Sequence, residues 1–151
     1  MSNPTVLYIE DSPDDVLFVQ RAFRRIAPAV QLHVIPSGQA AVDYFDPAAH
    51  PEPPPESLRL VLLDINLPGR SGHYILGQIR RASRCPRVPV VIFSASNQQK
   101  DIDACYAEGC NAYLIKPTDS NGLRQMIALV ASTWLQENLP NSTTPILPPP
   151  N

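Results

Sequence analysis

The sequence predicts an α/β fold: a doubly wound, five-stranded parallel sheet with helices on both faces. Three observations predict it. Short aliphatic runs, of which Leu60-Val61-Leu62-Leu63 is the clearest, are bounded by polar, Pro or Gly residues. Such runs read as strands buried on both faces, as in a parallel sheet between helical layers. Strand-like and helix-like patterns alternate five times, and parallel neighbours need right-handed crossovers. Finally, the strand ends carry reactive groups. Ile9 runs into Glu10-Asp11, Leu63 into Asp64, Phe93 into Ser94 and Ile115 into Lys116. Ligands of open α/β sheets bind at that carboxyl edge.

Strand one spans residues 5–9, Thr5-Val6-Leu7-Tyr8-Ile9. Helix one follows Ser12-Pro13, a capping hydroxyl with proline at the first helical position, and runs to about Ala27. Strand two covers 30–35. Helix two begins at Ser37-Gly38 and ends near Phe45, before Pro47. A proline-heavy loop, Pro51-Glu52-Pro53-Pro54-Pro55, leads to strand three at 59–63. Helix three covers 71–83, strand four 90–93 and helix four 97–108, which Gly109 stops in the left-handed conformation. Strand five covers 112–115 and helix five about 119–138. The strand order 2-1-3-4-5 is taken over from the flavodoxin-like arrangement rather than derived from these residues. Three regions result: an N-terminal segment (1–4), the folded domain (5–138) and a Pro-rich tail (139–151) that reads as flexible or polyproline-like.

A chain of 151 residues holds one domain with a proper core. A net charge of −2 favours neither nucleic acid nor an anionic membrane. Its apolar runs are strand-sized, so none spans a bilayer. The start, Met1-Ser2-Asn3-Pro4, lacks the basic and apolar regions of a signal peptide, and a soluble cytoplasmic protein is expected. Cys85, Cys105 and Cys110 form no CxxC; Cys105 and Cys110 read as small buried hydrophobes. His33, His50 and His73 have no metal-ligand spacing.

Glu10, Asp11 and Asp64 repel one another if brought together unpaired, so their cluster requires protons or a cation. Hard oxygen donors with room for waters suit Mg²⁺. Lys116 brings a point positive charge suited to phosphoryl oxygens, and Ser94 a hydroxyl donor from the neighbouring strand. Carboxylate, divalent metal, lysine and hydroxyl are the parts needed for phosphoryl transfer onto an aspartate. Asp14 and Asp15 read as first-turn acids that favour the helix dipole.

Over residues 5–138 the chain resembles the receiver domain of bacterial two-component response regulators. The motifs that carry the resemblance are Glu10-Asp11, Asp64-Ile65-Asn66-Leu67-Pro68 with Gly72 beyond, Ser94-Ala95 and Lys116-Pro117. Tyr113 stands three residues before the lysine, where receivers carry a switch aromatic. The resemblance implies that Asp64 accepts a phosphoryl group from the phosphohistidine of a sensor kinase. It implies Mg²⁺ on Asp11, Asp64 and the Asn66 backbone carbonyl, with Glu10 acting through water. Ser94 and Lys116 would hold the phosphoryl oxygens, Ser94 and Tyr113 would switch together, and the Lys116-Pro117 bond is expected to be cis. Serine in place of threonine at 94 is a common variant. The opening Ile9-Glu10-Asp11-Ser12-Pro13-Asp14-Asp15 and the long loop before strand three resemble a subgroup of stand-alone regulators, several of which partner phytochrome kinases.

Three other readings compete. Haloacid-dehalogenase phosphatases also use a strand-end aspartate with Mg²⁺, but place a second acid where this chain has Asn66. A flavin-binding module would open its first strand into a hydroxyl-rich phosphate loop, whereas Glu10-Asp11 repels phosphate. A constitutive receiver-like scaffold would not need this complete set of residues. The chain is therefore expected to turn over only its own phosphoryl group and to act on no other substrate. On helix five, Leu123, Met126, Ile127, Val130 and Trp134 share the stripe that faces the sheet. Ala128, Leu135 and Leu139 fall outside it on one side and Leu129 on the other. Together with the resemblance, this predicts a homodimer or partner face over helix four, strand five and helix five, with Leu135 exposed.

Overall fold

The strand Thr5–Ile9 (β1) is apolar at nearly every position and buried along its whole length, which only a central strand with helices on both faces can satisfy. The structure, a computed structural model, describes residues 3–82 and 84–135. After β1 come α1 (Pro13–Ile26), β2 (Gln31–Ile35), α2 (Gly38–Phe45), β3 (Leu58–Leu63), α3 (Gly72–Arg81), β4 (Val90–Ser94), α4 (Gln99–Ala107), β5 (Ala112–Ile115) and α5 (Ser120–Val130), which continues into a π-helical turn, Ala131–Leu135. All strand pairs are parallel, in the order β2-β1-β3-β4-β5. The α/β expectation and the strand order both hold. The predicted domain end at 138 and the tail at 139–151 lie outside the described residues.

Alternation along each strand builds two cores. Leu7, Ile9, Val61, Leu63 and Ile92 face Ile75, Leu76, Ile79 and Ile102 of α3 and α4. Val6, Tyr8, Leu60, Leu62, Val91 and Phe93 face Val19 and Phe23 of α1 and Ile127 and Val130 of α5. Each fully buried aliphatic side chain contributes about 1.5–3 kcal/mol. A one-residue slip would exchange the two faces, so the register that aligns the strand ends is strongly held.

Local signals set the boundaries. Ser12, Ser37, Ser71 and Asp119 each cap a helix, accepting from Asp15 N at 3.3 Å, Ala40 N at 3.1 Å, Tyr74 N at 3.3 Å and Gly122 N at 2.6 Å. Gly109 has φ +97° and ends α4 as predicted. Prolines at 51–55 have no N–H with which to pair. The Arg84 guanidinium instead ties that loop down through the carbonyls of His50, Pro51 and Glu52 at 2.5, 2.8 and 2.7 Å.

Two expectations fail. Leu135 is 7% exposed and packs in the core with Ile127, Val130 and Ala131. The wheel that put it in water assumed a continuous α-helix. In the π-helical turn each residue advances through a smaller angle, which carries Leu135 back to the sheet-facing side. Leu139 lies outside the described residues, and Ala128 and Leu129 are half-buried. The Lys116-Pro117 bond is not cis, since no described peptide is. The trans isomer is favoured by about 0.5–1 kcal/mol in an X–Pro bond, and the Lys116 side chain reaches its carboxylate partners from it.

Candidate functional site

Backbone hydrogen bonds bring four strand ends to one edge. Asp64 N donates to Ile9 O at 3.1 Å, Lys116 N to Ser94 O at 2.8 Å, and Glu10 N to Ile35 O at 3.1 Å. The residues following β1, β3 and β5, together with the last residue of β4, are thereby held side by side.

At the centre lies the Lys116 ammonium. Its three donors go to Glu10 Oε1, Asp15 Oδ2 at 2.8 Å and Asp64 Oδ2 at 3.1 Å. Burial alone would lower the lysine pKa, but hydrogen bonds to Asp15 and Glu10 and the charge of Asp64 hold it above its usual value. Glu10 is 1% exposed. Its Oε1 also accepts from the Tyr8 hydroxyl at 3.2 Å, and its Oε2 from the backbone N–H groups of Asp11 and Ser12 at 3.1 and 3.3 Å. Burial, opposed by the hydrogen bond from Lys116, pushes the Glu10 carboxyl up to about 7. Burial beside Glu10 pushes the Tyr8 phenol far above its ordinary value, so it serves as a neutral donor.

Asp64 is buried, with Oδ1 accepting from Asn66 N at 3.0 Å and Oδ2 facing the lysine. The Asn66 side chain donates to Ser94 Oγ at 3.3 Å, which links the aspartate loop to β4. Gly72 explains the tight return of this loop. A Cβ there would stand 2.3 Å from Ile65 Cα and 2.8 Å from Asp64 O, so any larger residue would push Asp64 out of place.

The Tyr113 ring is turned inward, 8% exposed, and its hydroxyl donates to Ser96 O at 2.8 Å. Ser96 N in turn donates to Ser94 Oγ at 3.3 Å. The predicted switch pair is thus joined through one residue of the β4–α4 loop. Cys105 and Cys110 are buried, as the sequence predicts, and their thiols are pushed up to about 12, chiefly by desolvation, which keeps them protonated.

Among the described residues, no three His, Cys, Asp or Glu side chains converge into a cage of protein ligands. Glu10 and Asp64 share the lysine, while the exposed Asp11 carboxylate takes no hydrogen bond from a described residue. These donors are all hard oxygens. They fit an ion such as Mg²⁺ that retains waters and is held by one or two carboxylates.

Sequence reasoning missed Asp15. Its place in the first turn is as predicted, and Asp14 beside it is exposed, but the Asp15 side chain belongs to the site. A usable signal existed. Ser12 and Pro13 fix where α1 starts, and that start puts Asp15 third in the helix, close to the strand end that carries Glu10.

Residues 6–128 match the family description "Response regulator receiver domain". Among curated proteins, the chain is 32% identical to the probable methanogenesis regulatory protein FilR2 of Methanothrix harundinacea, over 88% of this chain and 84% of that one. It is 31% identical to the response regulator Rcp1 of Synechocystis, over 89% and 92%. The Mn²⁺-bound crystal structure of Rcp1 superposes with a TM-score of 0.77, at 29% identity over 89% of this chain and 96% of that one. The phosphorylated cyanobacterial phytochrome response regulator RcpA gives a TM-score of 0.78, at 26% identity over 90% and 96%.

Proposed function

This chain belongs to the response regulator receiver domain family, and from that premise we propose that Asp64 is its phosphoacceptor, loaded by a sensor histidine kinase. One observation carries the assignment: among the described residues, each Asp64 oxygen takes a single hydrogen bond, from Asn66 N or Lys116 Nζ, whereas both oxygens of the other buried acid, Glu10, are already occupied by two donors each. An Asp64 oxygen attacks phosphorus, the P–N bond to the donor imidazole breaks with its electron pair left on nitrogen, and an acyl phosphate forms. Lys116 faces the incoming phosphoryl oxygens, and Ser94 offers its hydroxyl to one of them. Asp11, Asp64 and the Asn66 carbonyl would hold Mg²⁺, with Glu10 acting through water; the ion supplies charge neutralisation at the phosphoryl group. The chain then acts on its own phosphoryl group and on no separate substrate.

No helix among the described residues is long and apolar enough to cross a membrane, and the proposed location is the cytoplasm, with the kinase. The likeness to Rcp1 and to RcpA, a phytochrome response regulator, supports a bacteriophytochrome as that kinase. We place kinase docking at a groove of about 700 Å³ between α1 and the start of α5. Phe18 (51% exposed), Arg21, Arg124 and Pro117 line it, and Pro117 is next to Lys116. Phe18→Ala is expected to slow transfer from a kinase several-fold and leave labelling by acetyl phosphate unchanged. Equal effects on both donors would remove the groove from kinase recognition.

The response would pass through Ser94 and Tyr113. A phosphoryl oxygen drawing Ser94 Oγ toward it breaks the bond from Ser96 N, releasing the loop that the Tyr113 hydroxyl grips. Beryllofluoride, a phosphoryl mimic, is expected to shift the Tyr113 ring and Ser96 amide resonances. Identical spectra with and without it would refute the switch.

A further inference from the structure

We propose that Asp15 is a positioning residue for the phosphotransfer chemistry: it holds the Lys116 ammonium over Asp64 from the first turn of α1. This rests on Asp64 being the phosphoacceptor and adds a residue outside the strand-end set. An ammonium has three donors, and here each has one carboxylate acceptor, Glu10, Asp15 or Asp64. Phosphorylation changes only one of the three. Once Asp64 is an acyl phosphate, a phosphoryl oxygen takes over as the acceptor on that side. Glu10 and Asp15 then remain as the two fixed points that aim the lysine. With Glu10 alone, a flexible four-carbon stem could swing the charge away from the phosphoryl group.

The start of α1 is arranged so that Asp15 is available. An acid third in a capped helix ordinarily reaches back to the N–H of the capping residue. Here Ser12 N donates to Glu10 Oε2 instead, at 3.3 Å, while Ser12 Oγ accepts from Asp15 N at 3.3 Å. The Asp15 backbone is fixed, and its side chain is free to turn to the lysine. Asp15 is also half-exposed, unlike Glu10, so its removal leaves the core intact.

A double-mutant cycle tests the proposal in the full chain, with acetyl phosphate as donor, Mg²⁺ in excess and the initial rate of Asp64 labelling as readout. Asp15→Ala is expected to lower the rate about tenfold, the loss of roughly one charge-assisted hydrogen bond. Asp15→Asn, which keeps an acceptor oxygen, should lose less. In the Lys116→Met background, Asp15→Ala should change the rate less than twofold, because the group it positions is gone. The Mg²⁺ concentration for half-maximal rate should not move. Equal losses in both backgrounds, no loss with Lys116 present, or a shifted Mg²⁺ dependence would each overturn the positioning role. An unsubstituted chain that takes up no label would defeat the phosphoacceptor assignment itself, whereas a labelled chain indifferent to Asp15→Ala defeats only the positioning.

Discussion

Asp64→Asn is expected to abolish phosphoryl uptake. The intact chain, given acetyl phosphate and Mg²⁺, should gain one acid-labile phosphoryl group; the variant should gain none, a loss of at least about 10³-fold for removal of the nucleophile. An amide keeps the shape of the carboxylate and an oxygen for the Asn66 N–H that holds Oδ1, so the fold should survive. It also removes one negative charge from a group of acids that share a single lysine. Without metal, the variant should therefore melt no lower than the parent. Excess chelator should stop labelling of the parent as completely as the substitution does. Labelling that persists at full level in Asp64→Asn, read by intact mass, would show that another group is the acceptor. Labelling that persists in chelator would refute the metal requirement.

The other large effect concerns stability. Leu135→Ala should destabilise the domain by about 2–3 kcal/mol, the cost of emptying a buried leucine site. Urea denaturation measures this as a lower midpoint at unchanged slope. The same midpoint in parent and variant would mean that Leu135 is not part of the core. Leu135→Glu should cost more, because it places an unpaired carboxylate against β3, so it cannot probe a surface. The self-association expected through α4, β5 and α5, which remains a proposal, is better probed at Ile115, which is 44% exposed at the end of β5. Ile115→Glu should shift stability by no more than about 0.5 kcal/mol and shift light scattering toward the monomer when beryllofluoride is bound. Scattering identical to the parent would exclude that face from self-association.

Much of the molecule was legible in the amino-acid sequence, because the signals were local. Buried parallel strands must be continuously apolar, so Leu60-Val61-Leu62-Leu63 announced β3 and located Asp64 at its end. The Ser12 cap before Pro13 and the left-handed Gly109 marked helix ends with chemistry that one residue carries alone. Once the strand order was adopted from the flavodoxin-like pattern, Glu10, Asp64, Ser94 and Lys116 had to meet at one edge.

Where several elements compete for one side chain, that legibility ended. Asp15 had an adequate local explanation in the helix dipole. Its partnership with Lys116, 101 residues away in sequence, exists only because β1 and β5 end at the same edge. Leu135 was placed in water by a periodicity that holds only while the helix keeps one pitch, and the π-helical turn altered the phase. Gly72 could be matched as part of a motif, but only the loop folded against Ile65 shows why a side chain is excluded there. The sequence by itself determined the strands, the Ser12 cap of α1 and the set of reactive strand ends, because each depends on neighbours along the chain. The sharing of one ammonium among three carboxylates, the burial of Leu135 and the inward Tyr113 ring were decided by tertiary structure. Each depends on distances between distant segments, which packing sets.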